Sequence, residues 1–335
     1  MKYVKINELE EGMVLSNTLY DDNTNILLRS NKSLSKRMIE RIKQLNYDGL
    51  YVFEENDIAM SPSIISEETR LKALKHLKHL NIDECLFIAN NIVNEIRENN
   101  DTIIIETINL SSFDNYTYEH SINVCIMSVV LGIGLGLNDE ELNKLSQAAL
   151  LHDIGKTAIP IDILNKPGKL NDEEYEEMKN HCKYGYNLLK ENEDIASTVR
   201  NAIFSHHENE DGTGYPRQLT GDKIHKFAKI IHVADVYDAL TAKRAYKEPI
   251  NPADALEFLI SQTGKMFDER IVKLFIEYIA LYPVGTKVLL STNEEARVIA
   301  NNEKFLSRPI VKTDSGKKIN LLETLDITII DLLTK

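Results

Sequence analysis

The chain contains 335 residues, of which 43% are hydrophobic and 27% are charged. This composition is typical of globular proteins, argues against a disordered chain and, at this length, allows two or three domains. The net charge of −13 at pH 7 argues against a protein that binds duplex nucleic acid, because such binding neutralises phosphates with cations. A small phosphate ligand stays compatible with this charge, since a few local cations or metal ions can dominate one site.

The sequence carries no signal for secretion or membrane insertion. Its first residues, MKYVKINELEEG, alternate in charge and have no apolar core, unlike a secretory signal. The most apolar run, residues 122–137, is shorter than a membrane span and predicts a buried helix. Cys85, Cys125 and Cys182 lack the spacing of metal or redox motifs and are expected to be buried free thiols. We therefore expect a cytoplasmic protein that does not bind a membrane.

Residues 1–60 predict a small α+β accessory module. Alternating segments such as YVKINEL and ILLRS indicate short strands, and the polar run DDNTN indicates a turn. Ser35 is the expected N-cap of one amphipathic helix, and a last strand is expected at residues 50–53.

Residues 61–101 predict linker helices. Apolar residues recur at helical spacing between Leu71 and Ile96. Such a stripe could pack on its own domain or on a second copy of the chain, and the sequence leaves both alternatives open. A homodimer is therefore one expectation.

Residues 102–282 are predicted to be almost entirely helical. Asn138 and Asn171 each precede a glutamate by three residues, as in a capping box, and Asn251 precedes a proline, which favours a helix start. Residues 283–335 return to short alternating strands with turn residues between them. The predicted fold class is mainly α, with a helical domain flanked by small β-rich N- and C-terminal modules.

The segment AALLHDIGKTAIP, residues 148–160, places an apolar helix directly before His152, Asp153 and Lys156. One interpretation is a core histidine, a capping aspartate and a solvated lysine. The other is a pair of metal ligands beside a cation that receives an anion. The remaining histidines have to separate these alternatives.

Five of the nine histidines fall in one stretch of the helical region, at His120, His152, His181, His206 and His207. Any one of them alone is better explained as a core or surface histidine. Together with Asp153 and Asp235 they supply imidazole and carboxylate groups, which bind divalent Zn, Mn, Fe or Ni. Asp153 has two oxygens and could bridge two metals, and a pair about 3.5–4 Å apart can clamp a phosphodiester.

These histidines stand in ordered motifs that resemble one known family. HDIGK at residues 152–156 and HHENEDGTGYP at residues 206–216 resemble the HD-GYP family of cyclic di-GMP phosphodiesterases. The likeness continues through YTYEHSINV, HCKYGYNLL and VADVYDALTAKRAYK, and it covers about residues 102–282. It implies an all-helical HD-type catalytic domain in this part of the chain.

The resemblance also implies a role for each matched residue. One metal would be held by His120, His152, Asp153 and Asp235, and the other by His181, His206 and His207, with Asp153 bridging the two. Substrate contacts would come from Lys156, Tyr215, Arg244 and Lys247. Some members carry a glutamate for a third metal four residues before the first histidine, where this chain has Tyr116. We therefore expect two divalent metals, with iron or manganese favoured by the resemblance.

The predicted function is hydrolysis of cyclic di-GMP to linear pGpG, with a second cleavage to GMP as a further step. A hydroxide between the metals would attack phosphorus, since the pKa of bound water falls towards about 7 at such sites. Asp153 and Lys156 are the predicted catalytic residues. The alternatives are a phosphodiesterase for cyclic GMP-AMP, a phosphohydrolase for dNTPs or ppGpp, and a silent cyclic-dinucleotide receptor that acts through signalling-protein partners.

Overall fold

A computed structural model of the chain describes residues 2–16, 18–20, 26–44, 47, 49–53, 64–99, 105–106, 116–242, 250–302 and 305–333. The chain divides into two compact units, one formed by residues 1–62, 283–302 and 308–335, the other by residues 63–282 and 303–307. The second unit is helical, and most of the strands lie in the first. The predicted fold class, a mainly α protein with small β-rich terminal regions, is thereby confirmed. The boundaries at residues 60, 101 and 282 stay a prediction.

The helices are α1 Lys36–Ile42, α2 Glu67–Lys78, α3 Ile82–Glu98, α4 Tyr116–Gly134, α5 Asp139–Leu150, α6 Ile161–Leu164, α7 Asp172–Lys179, α8 His181–Leu189, α9 Ser197–Ser205, α10 Lys226–Thr241, α11 Pro252–Ser261 and α12 Glu269–Tyr278. The strands are β1 Lys2–Lys5, β2 Val14–Leu15, β3 Leu19–Tyr20, β4 Ile26–Leu28, β5 Gly49–Phe53, β6 Ile105–Glu106, β7 Ile279–Ala280, β8 Lys287–Leu290, β9 Glu295–Ala300, β10 Ile310–Thr313, β11 Lys318–Asn320 and β12 Ile329–Leu332.

The N-terminal part of the first unit is a small α+β structure. Strands β1, β5 and β2 form an antiparallel sheet in that order, and β3 pairs with β4. Ser35 caps α1, as predicted, because its hydroxyl accepts a hydrogen bond from the Met38 backbone nitrogen. Buried side chains such as Leu15, Ile39 and Val52 form one core between helix and sheet. The predicted DDNTN turn lies outside the described residues.

The C-terminal part of the same unit is an antiparallel sheet of five strands in the order β11–β10–β9–β8–β12. Residues along β8 and β10 alternate between buried and more exposed positions. One face of this sheet is therefore apolar, as the alternating sequence predicts.

The helical unit begins its helices where the sequence predicts. Asn138 and Asn171 each form a complete capping box with the glutamate three residues later, and Asn251 caps α11. Helix α4 packs against α5 and α10, and α3 packs against α5. The middle of α4 is buried on nearly every side, which confirms the predicted buried helix in residues 122–137. Within the part of the chain that the structure describes, we find no helix both long and apolar enough to cross a bilayer.

The apolar stripe of residues 71–96 is mostly buried within its own unit. Leu74 and Leu77 on α2 and Ile92 on α3 are 6% exposed or less, because α2 packs on α3 and both contact α4. Phe87 and Leu80 are exceptions, with 61% and 42% of their surface exposed. Packing on the chain's own domain therefore explains most of the stripe, and a homodimer stays a prediction.

Helix α5 ends at Leu150, before the HDIGK motif, and a 3-10 helix follows at Ile154–Ala158. This short helix lies directly against α8. A Cβ atom added to Gly155 would lie 1.9 Å from the His181 carbonyl oxygen and 2.4 Å from the Gly185 nitrogen. Only glycine allows so close an approach of two backbones, and the contact brings His152 and Asp153 next to the first residue of α8.

Replacing Gly155 with alanine should therefore separate the 3-10 helix from α8. We expect Gly155→Ala to lower the free energy of unfolding by about 1–3 kcal/mol, because the methyl group meets backbone atoms that cannot rotate away. Urea unfolding followed by circular dichroism measures this change. The control is Gly185→Ala, whose methyl group would lie 3.2 Å from Ile203 Cγ2 and 3.3 Å from the Gly155 nitrogen, so that small shifts relieve the contact and the loss should be smaller. Equal losses in both variants would contradict the explanation.

Candidate metal centre

The seven predicted ligands come from the ends or faces of five helices and converge on one place. His120 lies in α4, His152 and Asp153 follow α5, His181 starts α8, His206 and His207 follow α9, and Asp235 lies in α10. All except His207 are at most 7% exposed. Their donor atoms fall into three groups, each within 4.8 Å: His120, His152 and Asp153; His152, His206 and Asp235; and His181, Cys182, His206 and His207.

Three of the imidazole rings are oriented by the same local hydrogen bond. The Nδ1 atoms of His152, His181 and His206 each lie 2.7 Å from the carbonyl oxygen of the residue three positions earlier. A carbonyl can only accept, so Nδ1 carries the proton and Nε2 presents a lone pair. Each turn thus directs one unprotonated nitrogen into the centre, the arrangement that metal-binding histidines need.

Asp153 lies between two sets of histidines. Its Oδ1 atom is 3.5 Å from His181 Nε2, and its Oδ2 atom is 3.4 Å from His152 Nε2 and 3.7 Å from His120 Nε2. Lys156 Nζ also donates to Oδ2 at 2.5 Å. The two oxygens of one carboxylate therefore face two different groups of imidazoles.

Asp235 connects the remaining histidines. Its Oδ1 atom lies 3.0 Å from His120 Nε2 and 3.9 Å from His152 Nε2, and its Oδ2 atom lies 3.7 Å from His207 Nδ1. All seven predicted ligands are thus brought together, and their assignment to two individual metals stays a prediction.

Several buried nitrogen and oxygen atoms of this cluster have no hydrogen-bond partner among the described residues. His152 Nε2 and Asp153 Oδ1 are both buried and unbonded there. The Nε2 atoms of His181 and His206 lie 3.3 Å apart, although both present lone pairs. Unpaired buried acceptors and facing lone pairs are unfavourable by themselves. A divalent cation relieves both, so these residues fit a metal.

The protonation states also suit metal binding. Burial lowers the pKa of His206 and His207 well below the usual range, helped by neighbouring histidines, so both rings are neutral at pH 7. Burial alone would raise the pKa of Asp153 and Asp235, but nearby cationic groups, Lys156 among them for Asp153, lower it well below the usual range. Neutral imidazoles and ionised carboxylates are the forms that bind divalent metals.

Sequence reasoning missed Asp238 and Asn123. The Oδ2 atom of Asp238 lies 2.7 Å from His120 Nδ1, and Asn123 donates to Oδ1 of the same carboxylate at 3.0 Å. Asp238 is only 1% exposed. Its spacing of three residues from Asp235 was a signal, because residues i and i+3 share one helix face.

Cys182 is a second residue that sequence reasoning left outside the site. It is buried and free, as predicted, but its Sγ atom lies 3.5 Å from His181 Nε2. Burial raises the pKa of the thiol well above the usual range, so the group stays protonated at pH 7. A protonated thiol is a weak ligand, so the imidazoles and carboxylates are the principal donors that the metal-free cluster presents.

The loop after α9 holds Tyr215 beside the metal centre. The buried Glu208 carboxylate accepts backbone hydrogen bonds from Arg217 and Leu219 at 2.7 and 2.8 Å, and the Tyr215 nitrogen donates to the His207 carbonyl at 3.0 Å. The Tyr215 ring lies 4.7 Å from the His207 ring. Burial raises the Tyr215 pKa, so the phenol remains a neutral donor.

The glycine before Tyr215 serves the fold of this loop. A Cβ atom on Gly214 would lie 2.4 Å from the His207 carbonyl oxygen. Gly214 therefore allows the loop to pack on the segment that carries His207.

Beside Tyr215 lies a cleft of about 700 Å³, a volume in the range of ligand pockets. Aromatic and cationic side chains line it, including Tyr175, Phe204, Lys179 and Lys183. Lys156 approaches Asp153, and its predicted phosphate contact stays a prediction. The predicted substrate residues Arg244 and Lys247 lie outside the described residues.

The charge state of His120 makes metal binding depend on pH. Burial would lower its pKa, but hydrogen bonds to Asp235 and Asp238 outweigh burial and raise the pKa to about 9. The ring is therefore protonated at pH 7 in the metal-free protein and must lose a proton to bind a metal. We expect Mn²⁺ binding to release about one proton from this ring at pH 7 and almost none at pH 10, with affinity rising between them.

Calorimetric titration of the metal-free protein in two buffers of different ionisation enthalpy measures this release. His79→Gln, at an exposed histidine of the same unit, is the control and should leave the proton count unchanged. A release that is the same at pH 7 and pH 10 would contradict the assignment to His120.

Residues 106–271 match a family model described as HD domain. The chain is 36% identical over 227 residues to a cyclic di-GMP phosphodiesterase of Pseudomonas aeruginosa, which covers 67% of this chain and 55% of the relative. It is 35% identical over 190 residues to a 3′3′-cGAMP-specific phosphodiesterase of Vibrio cholerae, covering 56% of this chain and 36% of the relative. The chain thus spans about half or less of the length of these curated relatives.

A solved structure gives an independent comparison of the fold. An HDG"Y"P protein from Bdellovibrio bacteriovorus aligns with a TM-score of 0.52 and 20% identity, covering 82% of this chain and 97% of that one. This likeness supports the helical HD fold. The family match, the relatives and the clustered histidines and aspartates together show that residues 106–271 form an HD domain, and they confirm the resemblance of this part of the chain to the HD-GYP phosphodiesterases.

Proposed function

We propose that this chain is a metal-dependent phosphodiesterase that hydrolyses cyclic di-GMP to linear pGpG, with a second cleavage to GMP. One observation carries the proposal: the buried Asp153 carboxylate directs its two oxygens at two groups of imidazoles. A carboxylate in that position suits a bridge between two metals, and two-metal sites are the usual means of cleaving phosphodiesters. The similarity to a cyclic di-GMP phosphodiesterase supports this substrate.

The proposed cofactor is a pair of iron or manganese ions. His120, His152, Asp153 and Asp235 would hold one ion, and His181, His206 and His207, with Asp153, would hold the other. Nitrogen and oxygen donors without a thiolate suit these metals. When bound, the metals would polarise the phosphoryl oxygens and lower the pKa of water.

The chain's own residues would orient the substrate and balance its charge. Lys156 places an ammonium group at the edge of the cluster, with 27% of its side chain exposed, where it can reach an anionic oxygen. Tyr215 would offer a neutral hydroxyl and a ring surface between the metal centre and the adjacent cleft. An enclosed cation at the phosphate strengthens electrostatic stabilisation of the transition state.

Asp153→Ala tests the proposal. We expect this variant to lose most of the bound manganese or iron and at least about 1,000-fold of the turnover, because both metals would lose a shared ligand. The measurements are metal content per chain after anaerobic loading and chromatography of the products. Asp162→Ala, at an exposed carboxylate on the neighbouring helix α6, is the matched control and should retain both properties.

The substrate panel separates the alternatives. Products from cyclic di-GMP support the proposal, whereas faster cleavage of 3′3′-cGAMP would favour that substrate, which the Vibrio cholerae relative makes the second candidate. Cleavage of dNTPs or ppGpp instead would indicate another phosphohydrolase. Two metals without any product would indicate a silent receptor, and full turnover by Asp153→Ala with metal bound would refute the bridging role.

The substitution Lys183→Met tests whether the substrate occupies the cleft. This lysine is exposed, lines the cleft and forms no ion pair with any described residue, so its ammonium group is free for a ligand. We expect Lys183→Met to raise the KM for cyclic di-GMP about tenfold with a smaller change in kcat, since a charged hydrogen bond contributes about 1.5–3 kcal/mol.

Steady-state kinetics measure this change, with Lys273→Met on α12 as the control of equal charge. Lys273 is 68% exposed and pairs with Glu269, outside the cleft. An unchanged KM in Lys183→Met would show that the substrate does not use this part of the cleft.

A further inference from the structure

A continuous path of polar contacts connects the metal centre with helix α2. His120 Nδ1 lies 2.7 Å from Asp238 Oδ2, and the other oxygen of Asp238 accepts from Asn123 Nδ2 at 3.0 Å. Asn123 Oδ1 in turn accepts from Arg70 Nη1 at 3.2 Å. The same Arg70 nitrogen donates to Glu119 Oε2 at 2.8 Å.

Only one direction of hydrogen bonding is chemically possible along this path of contacts. A guanidinium group can only donate, so the Asn123 oxygen must face Arg70 and its amide nitrogen must face the carboxylate. The Asp238 carboxylate then accepts from both Asn123 and His120. Each group therefore fixes the orientation of the next, and the order ends at the His120 ring whose Nε2 faces Asp153 and Asp235.

Burial increases along the same path. The Arg70 side chain is 29% exposed, whereas His120 is 3% and Asp238 is 1% exposed. An ion pair close to the surface, such as the partly buried pair of Arg70 with Glu119, contributes little by itself. A contact that holds a buried carboxylate network in one arrangement contributes more, because buried polar groups are costly when left unpaired.

Helix α2 is itself held in place on α3. Glu95 accepts hydrogen bonds from the Ser66 backbone nitrogen and the Thr69 hydroxyl, both at 2.5 Å, at the start of α2. Arg70 follows on the next turn. It also precedes residues 106–271, so the contact comes from outside the segment that matches the HD family.

We propose that Arg70 is a positioning residue for the metal centre, which acts through Asn123 and Asp238 on the His120 ring. A metal ligand whose second nitrogen is held by a carboxylate has a fixed ring plane and a more basic donor atom. Arg70 extends this support to a helix outside the family domain. The inference concerns metal binding alone and does not depend on which phosphodiester is the substrate.

A double-mutant cycle tests this proposal on Mn²⁺ affinity, measured by calorimetry on the metal-free chain of 335 residues. The variants are Arg70→Met, Asp238→Asn and both together. We expect Asp238→Asn to weaken binding about 10- to 100-fold and Arg70→Met about 3- to 10-fold. The double variant should bind about as weakly as Asp238→Asn alone, because both act through one chain of contacts.

Arg97→Met is the matched control, since Arg97 on α3 pairs with Asp139 of α5. Among the described residues, Arg97 forms no hydrogen bond or ion pair with the residues of the path from Arg70 to His120. It should leave Mn²⁺ affinity unchanged, and Arg70→Lys, which retains a cationic donor, should recover most of the loss. If Asp238→Asn fails to fold, as thermal unfolding would show, Asn123→Ala takes its place in the cycle.

Two results would overturn the proposal: wild-type affinity in Arg70→Met, or losses that multiply in the double variant as for independent sites. A protein that binds Mn²⁺ and follows the expected cycle, but cleaves no cyclic dinucleotide, would refute the proposed function and leave this inference intact.

Discussion

The buried concentration of carboxylates and imidazoles is the constraint on which the helical unit depends. Asp153 and Asp235 are ionised at positions that are 4% and 7% exposed, where an uncompensated charge would be very costly. The neighbouring histidines cannot satisfy them, because most present lone pairs rather than protons. In the metal-free protein, Lys156 on one side and protonated His120 on the other compensate these charges. Divalent cations, which the cluster fits, would take the place of the His120 proton.

This constraint explains why the ligands lie mainly at helix ends. A histidine just after a helix can donate Nδ1 to a carbonyl three residues earlier, as His152 and His206 do, and its Nε2 then faces away from its own helix. The helix interiors remain free to pack as an apolar core around α4 and α10. The packed core therefore fixes the positions of the ligand side chains. The close contact of Gly155 with the backbone of α8 shows how little space separates these segments.

Much of this arrangement could be predicted from the sequence, since caps, apolar periodicity and ligand types are local signals. The capping boxes at Asn138 and Asn171 follow from them, whereas the set of seven donor residues was implied by the resemblance of their ordered motifs to a known family. The contact between His120 and Asp238 joins residues 118 positions apart, and such pairs depend on how α4 and α10 pack. The role of Gly214 was missed for a related reason, because no local pattern shows what a turn folds against.

The path from Arg70 to His120 shows that residues outside the segment that matches the family can contribute to its site. Its residues donate and accept in a single order, and only the last one, His120, is a proposed metal ligand. Removing Arg70 or Asn123 leaves His120 in place but no longer fixes the orientation of its ring. Ring orientation matters because imidazole binds a metal along one lone-pair direction. A helix that belongs to the linker in the sequence therefore becomes part of the metal centre through hydrogen-bond geometry, while its apolar face contributes to the common core.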